Sequence, residues 1–288
     1  MRTLVVSASY GLATVWKSAL EGRGHVVAAF LTTAGPPRRR MEDYAKLVER
    51  YGGDCDVIVS GRPSTWARVF EAYDIDLIAC CGFPWRLPAD FLALPRLGAI
   101  NMHPSLLPKY RGAGPNVFGW MFRNDEKESG ITVHRMAPDF DTGPILAQYA
   151  VPIEDDDNAE ALGNRLGSVV MTALDEAITK AEAGDPGRPQ EGDGFYCDAF
   201  EEEWRRVDWS RPARQVHNQV RSWTGMESHG HAQAELDGQR LTIKRTRLLA
   251  DGAQTGRDPG AVLERRPDSI VVQCGDGPLL VVDWEDRD

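Results

Sequence analysis

Five short, mostly apolar runs alternate with stretches of helical character over the first hundred residues, and that alternation leaves few architectures open. Thr3–Ser7, Val26–Thr32, Val57–Ser60, Leu77–Cys81 and Ala99–Met102 are rich in Val, Ile, Leu, Ala or Cys. Between them, Leu12–Glu21 carries Leu12, Val15, Trp16 and Leu20 roughly at helical spacing and closes on Gly22 and Gly24. Glu42–Tyr51 reads as a helix that ends at Gly52-Gly53, and Ser64–Tyr73 as one with Ser64 at its N-cap. Strands that are apolar throughout must be covered on both faces, and strands alternating with helices form a parallel sheet flanked by them. Ligands of such a sheet gather beyond the carboxyl ends of its strands. The residues leaving the fifth run are therefore where chemistry is expected.

Those residues are Asn101-Met-His-Pro-Ser-Leu-Leu-Pro-Lys-Tyr-Arg-Gly112. They are followed by Gly130-Ile-Thr-Val-His-Arg-Met136 and by Phe140-Asp-Thr-Gly-Pro-Ile145. An amide at Asn101 can donate to a developing oxyanion. The imidazole of His103 can move a proton near neutral pH. A carboxylate at Asp141 can fix that imidazole's tautomer and support its charged form. Together the three suit acyl transfer without a covalent enzyme intermediate. Taken singly, an Asn or His near a strand end is commonly a turn former, and Asp141 before Thr142-Gly143 fits an Asx turn. Ser105 lacks a Gly-x-Ser-x-Gly elbow, so it reads as a turn hydrogen-bonder rather than a nucleophile.

As a block, the Asn-x-His-x-Ser-Leu-Leu-Pro string with the later Asp-x-Gly resembles the folate-dependent formyltransferase family. That family includes methionyl-tRNA formyltransferase, glycinamide ribonucleotide transformylase, sugar N-formyltransferases and the hydrolase domain of 10-formyltetrahydrofolate dehydrogenase. The resemblance covers most of residues 1–180. It implies a catalytic triad of Asn101, His103 and Asp141 and a Rossmann-like fold. It also implies 10-formyltetrahydrofolate as formyl donor, with no metal. Family members hold the pterin with backbone groups of a loop after a central strand. Here that loop is Gly82–Pro88, with Trp85, Arg86 and Leu87 at the matching positions, and Asp139, Phe140 and Asp141 form the opposite wall. Tyr110 and Arg111, with Ser105 beside them, are candidates for the acceptor entrance.

Downstream, Asn116–Phe122 reads as a short helix, Ile131–Met136 and Ile145–Ile153 as strands, and Glu160–Ala183 as a long amphipathic helix. Gly184–Gly194, rich in Gly, Pro and charge, reads as a linker. A helix over Arg211–Val220 follows. Short strands are expected at Ala232–Leu236, Leu241–Leu249, Ala261–Leu263, Ile270–Gln273 and Leu279–Val282, separated by glycine turns, a pattern that suits a small barrel. Trp204–Trp209, Pro212–Arg221, Pro259-Gly260-Ala-Val and Cys274–Gly277 extend the resemblance to the C-terminal domain of the tRNA-dependent members, which implies an OB-like fold there. The expected organisation is a catalytic domain over 1–183, a linker over 184–203 and an OB-like domain over 204–288.

Charge bears on the acceptor. Lys and Arg number 33 against 43 Asp and Glu, a formal net charge of −10, and a large nucleic-acid footprint needs clustered cations. The Lys-rich insertion of the tRNA-dependent members is reduced here to Thr33–Met41, with three arginines, and the chain stops on an acidic segment. His103 is followed by Pro104, as in the transformylase and sugar-modifying members. These features favour a small-molecule amine as acceptor: an amino sugar nucleotide, an amino acid or a hydroxyornithine. Methionyl-tRNA and hydrolysis of the donor are the alternatives. Arg38–Arg40 could meet an anionic group or simply face solvent. His229-Gly-His231 has no third ligand at metal spacing and reads as a polar turn. Five cysteines without Cys-x-x-Cys spacing suit a reducing compartment. With no signal pattern and no long apolar run, a cytoplasmic location is expected, and a homodimer is left open.

Overall fold

The structure is a computed structural model. It describes residues 1–33, 38–61, 66–112, 116–224, 230–249 and 255–287; of residues 38–40, 68 and 69 only the backbone is described. Ser64 and His229 lie outside the described residues, as do the side chains of Arg38–Arg40. The chain divides into two compact units. The first comprises Met1–Ala113, Gly130–Ala150 and Leu166–Tyr196; the second comprises Gly114–Ser129, Val151–Arg165 and Cys197–Asp288.

The first unit is built on a seven-stranded sheet. Its strands are β1 (Arg2–Val6), β2 (Val26–Thr32), β3 (Asp56–Val59), β4 (Leu77–Cys81), β5 (Ala99–His103), β6 (Glu128–Arg135) and β7 (Ile145–Pro152), in the order β3-β2-β1-β4-β5-β6-β7. The first five pair in parallel, and β6 pairs antiparallel to β5. Every residue of β4 and β5 is buried, as uniformly apolar strands demand. Helix α1 (Tyr10–Glu21) is capped by Ser9, whose hydroxyl accepts from the Leu12 amide. Its Trp16 is fully buried and donates its indole N–H to the Cys80 carbonyl at 3.2 Å. Helix α2 (Arg38–Tyr51) follows β2, and the short helices α3 (Trp66–Phe70) and α4 (Ala89–Leu92) flank β4 in sequence. Trp66 and Phe70 meet Phe91 edge-on, at centroid distances of 5.7 and 5.6 Å. Aromatic pairs in this geometry add packing energy beyond their burial. Helix α4, a single turn in a Pro- and Leu-rich stretch, gives no periodic signal in the sequence.

The second unit contains helix α5 (Val117–Arg123), helix α7 (Ala213–Ser222) and a five-stranded antiparallel sheet. Its strands β8 (Ala232–Leu236), β9 (Gln239–Leu248), β10 (Val262–Arg266), β11 (Ser269–Gln273) and β12 (Pro278–Asp286) run in the order β10-β11-β12-β9-β8. Val216, Val220, Leu241, Ile243, Ile270, Val272, Leu279 and Val281 form its core. Helix α7 also buries His217, Asn218, Gln219, Arg221 and Ser222. Burial of so many polar groups is tolerated because they find partners. His217 bonds Thr246 Oγ1 at 2.8 Å and the Asp155 carbonyl at 2.7 Å. Asn218 donates to Asp125 at 3.0 Å, and Arg221 to the Glu154 carbonyl at 2.9 Å.

Helix α6 (Ala159–Glu182) is the long helix expected from the sequence. The Gly- and Pro-rich stretch after it is bonded to the first unit rather than free. Arg188 exchanges both backbone hydrogen bonds with Ile145, at 2.7 and 2.9 Å, and the Arg111 amide donates to the Phe195 carbonyl at 2.9 Å. Local composition registers a chain that is neither helix nor strand; it does not register such distant partners. Among the described residues no helix is long and apolar enough to cross a membrane.

Candidate active site

The site is assembled at the carboxyl end of β5 within the first unit. Asn101 and His103 are two residues apart on one strand, so their side chains leave the same face. Strand β6 runs antiparallel beside them and sets His134 opposite Asn101 and Thr132 opposite His103. The loop after β6 returns Asp141 to the same spot. Its backbone there is left-handed, with φ of +55°, a conformation that Asp tolerates better than most residues.

Asp141 holds the cluster together. Its Oδ1 accepts from Asn101 Nδ2 at 3.0 Å and lies 3.2 Å from His134 Nε2. Its Oδ2 accepts from the Gly112 amide at 2.7 Å and lies 3.4 Å from His103 Nδ1. The opposite nitrogen of His103, Nε2, lies 2.6 Å from the Tyr110 carbonyl and must donate to it. In the neutral ring Nδ1 then carries the lone pair, so a proton taken up there would face Asp141. His134 has the other tautomer. Its Nδ1 donates to the Arg135 carbonyl at 2.7 Å, which leaves Nε2 to accept from Asn101 Nδ2 at 3.1 Å. The Asn101 amide orientation follows, because its oxygen could not face the carboxylate.

The electrostatics agree with this arrangement. Burial raises the Asp141 carboxyl, but the neighbouring His103 and His134 rings and the Gly112 amide outweigh it, so Asp141 titrates well below the usual carboxylate range. Burial lowers His103 below its ordinary value, against the raising influence of Asp141 and of the Tyr110 carbonyl. The site thus pairs a fixed anion with a neutral imidazole whose protonated form that anion stabilises.

The residues expected at a pterin slot also lie in this unit. Leu87 is buried in the core at 3% exposure and anchors its loop, while Trp85 is 44% exposed. Arg86 bridges this loop to the opposite one: its guanidinium pairs with Asp139 at 3.1 Å and lies 5.4 Å from the Phe140 ring centre. The acceptor candidates are held by internal contacts. Ser105 is fully buried and donates to the Lys109 carbonyl at 2.7 Å. The Tyr110 ring is buried edge-on against Phe195, 4.7 Å away, and its carbonyl serves His103. Arg111 donates to Gln190 Oε1 from Nε at 3.2 Å and from Nη2 at 2.6 Å. The Ser105 bond is the turn contact expected of it, whereas the Phe195 and Gln190 partners of Tyr110 and Arg111 lie too far along the chain for sequence spacing to reveal. Sequence reading also passed over His134. The signal was available in matched alternation: Thr132-Val-His134 answers Asn101-Met-His103, each with polar residues two apart in a buried strand.

Comparison with known proteins yields a consistent set of matches. The formyl transferase family profile matches residues 26–178, and that of the formyl transferase C-terminal domain matches residues 200–287. A methionyl-tRNA formyltransferase of Pelobacter propionicus is 38% identical over 222 residues, covering 76% of this chain and 67% of the relative. One from Anaeromyxobacter dehalogenans is 34% identical over 271 residues, covering 92% and 85%. In four relatives of the same name the matched stretch spans 63 to 68% of the relative's length. Among solved structures, an N-formyltransferase from Helicobacter canadensis, in complex with folinic acid and dTDP-3-aminofucose, superposes with a TM-score of 0.72. It is 17% identical and covers 99% of this chain and 100% of that one, a likeness of fold.

Proposed function

The chain belongs to the formyl transferase family, and on that premise we propose that it moves a formyl group from 10-formyltetrahydrofolate to an amine, with methionyl-tRNA as the acceptor. The observation that carries the chemistry is the Asp141 carboxylate in simultaneous contact with Asn101 and His103, at 3.0 and 3.4 Å. The Trp85–Leu87 and Asp139–Asp141 loops, tied by the Arg86–Asp139 pair, would hold the pterin of the folate. When bound there, the folate supplies the formyl group as an activated amide.

The residues then divide the work. Asn101 keeps one amide hydrogen on Asp141 and turns the other from His134 to the formyl oxygen, where negative charge develops as the acceptor nitrogen attacks. A donor so placed is worth about 100- to 1000-fold in rate. His103 takes the proton released by the acceptor amine on Nδ1 and returns one to the departing folate nitrogen. Asp141 and the Tyr110 carbonyl stabilise the imidazolium between those events. His134 holds the amide of Asn101 in register until the substrate oxygen replaces it.

The acceptor proposed here departs from the one that charge alone favours. The relatives named above support methionyl-tRNA. The formal charge of −10 and the Lys-free stretch over Thr33–Met41 support the second reading, a small-molecule amine. The two separate in one experiment: methionyl-tRNA and a panel of small amines are incubated with 10-formyltetrahydrofolate and enzyme at physiological salt. Formylated methionyl-tRNA, with a yield that falls steeply as salt is raised, is the expected result. Formylation confined to a small amine would replace the first reading with the second.

A further inference from the structure

The stretch that follows α6 lies against the catalytic loop, and one side chain in it meets that loop at several points. Gln190 donates from Nε2 to the Asp141 carbonyl at 2.7 Å and to the Gly143 carbonyl at 2.8 Å. Its Oε1 accepts both bonds from the Arg111 guanidinium. The amide orientation is therefore fixed by its partners: two carbonyls require the nitrogen, and a guanidinium requires the oxygen. Tyr196 adds a longer contact, its hydroxyl donating to the Phe140 carbonyl at 3.4 Å. The stretch is pinned on either side of Gln190 by the Arg188–Ile145 and Arg111–Phe195 backbone bonds. It passes so close to Arg111 that a side chain at Gly194 would meet the Pro108 carbonyl at 2.5 Å and Arg111 Cζ at 2.8 Å.

We propose that Gln190 is a positioning residue for formyl transfer, holding the left-handed backbone of Asp141 so that its carboxylate stays aimed at His103 and Asn101. A left-handed backbone is disfavoured for an L-residue, so without an external hold the Asp139–Gly143 turn relaxes and Asp141 withdraws. Gln190 gives its two amide hydrogens to the carbonyls of Asp141 and Gly143 in that turn and leaves the carboxylate free. Arg111 completes the clamp from the other side by holding the Gln190 oxygen. Outer partners of this kind typically carry about 10- to 100-fold in activity.

This inference rests on the formyl-transfer reading of the triad, and its test has a readout that needs no acceptor. Gln190→Met removes both donors at similar size. Gln190→Glu keeps the contact with Arg111, which protects folding, and loses the donors. In the Met variant, which adds no charge, NMR titration of the His103 ring, faced by Asp141 and neighboured by His134, reports how closely the carboxylate stands. We expect His103 to titrate at lower pH than in the parent protein, and kcat to fall about tenfold or more with KM for the folate little changed. An unchanged His103 titration in a folded variant overturns the proposal, whatever the turnover. If the parent protein formylates no acceptor, the function reading fails while the titration still decides the role of Gln190.

Discussion

Asp141 faces two imidazoles and an amide at once, and the differences between those contacts set the expected chemistry. The 3.4 Å approach of His103 Nδ1 is long for a hydrogen bond, as suits a ring whose proton is absent until turnover supplies it. Burial lowers His103 and Asp141 raises it. If the neutral ring is the competent form, the acidic limb of kcat/KM lies below pH 6.5, the unperturbed value for histidine. Asp141→Asn removes the raising charge, so the limb should move to lower pH while kcat falls. A pH profile of that variant checks the sign; a limb displaced upward would mean that Asp141 does not face the titrating group. Asn101, His103 and Asp141 stood out in the sequence only through the resemblance of the Asn-x-His-x-Ser-Leu-Leu-Pro block and the later Asp-x-Gly to the formyltransferase family; taken singly, each reads as a turn former. His134 needed the register of β6 against β5. Gln190 carried no local signal, since its partners lie 49, 47 and 79 residues away.

At the scale of elements, the loop from β6 to β7 must pass Arg135 closely in order to return Asp141 to β5. A Cβ built at Gly143 would lie 1.8 Å from the Arg135 carbonyl oxygen, a backbone atom that cannot step aside. Gly143→Ala should therefore shift the loop and lower turnover about 100-fold, the effect of misplacing a catalytic group by around an ångström. Far-UV circular dichroism should hardly change, because the strands on either side are buried in the sheet. Wild-type kinetics in this variant would show that the loop is not the rigid mount described. The parallel strands were readable because both faces are covered, which leaves uninterrupted apolar runs. The antiparallel placement of β6 was not readable, because a buried strand has the same composition in either direction.

At the scale of the whole molecule, the second unit gains order from buried polar contacts as well as from its core. Burial pushes the His217 imidazole from 6.5 down to about 4, with Arg221 and Arg214 adding to the effect and the Asp155 carbonyl opposing it. The unfolded chain binds this proton more readily, so the contribution of His217 is complete above pH 6.5 and is lost as pH falls towards 4. Between pH 7 and 5 it amounts to about 2 kcal/mol. Urea unfolding of wild type and His217→Gln at the two pH values should show a smaller acid loss in the variant, and equal losses would remove His217 as the cause. Neither this network nor the grouping of Gly114–Ser129 and Val151–Arg165 with the C-terminal sheet was visible from sequence, because both depend on residues far apart in the chain. Formyl transfer at the Asp141-centred cluster is read out by isotope transfer. With 10-formyltetrahydrofolate labelled at the formyl carbon, wild-type enzyme should place the label on an acceptor nitrogen, and folded Asn101→Ala, His103→Ala and Asp141→Ala should each do so at least about 100-fold more slowly. Label transfer at the wild-type rate in any of the three would mean that the cluster does not carry the reaction.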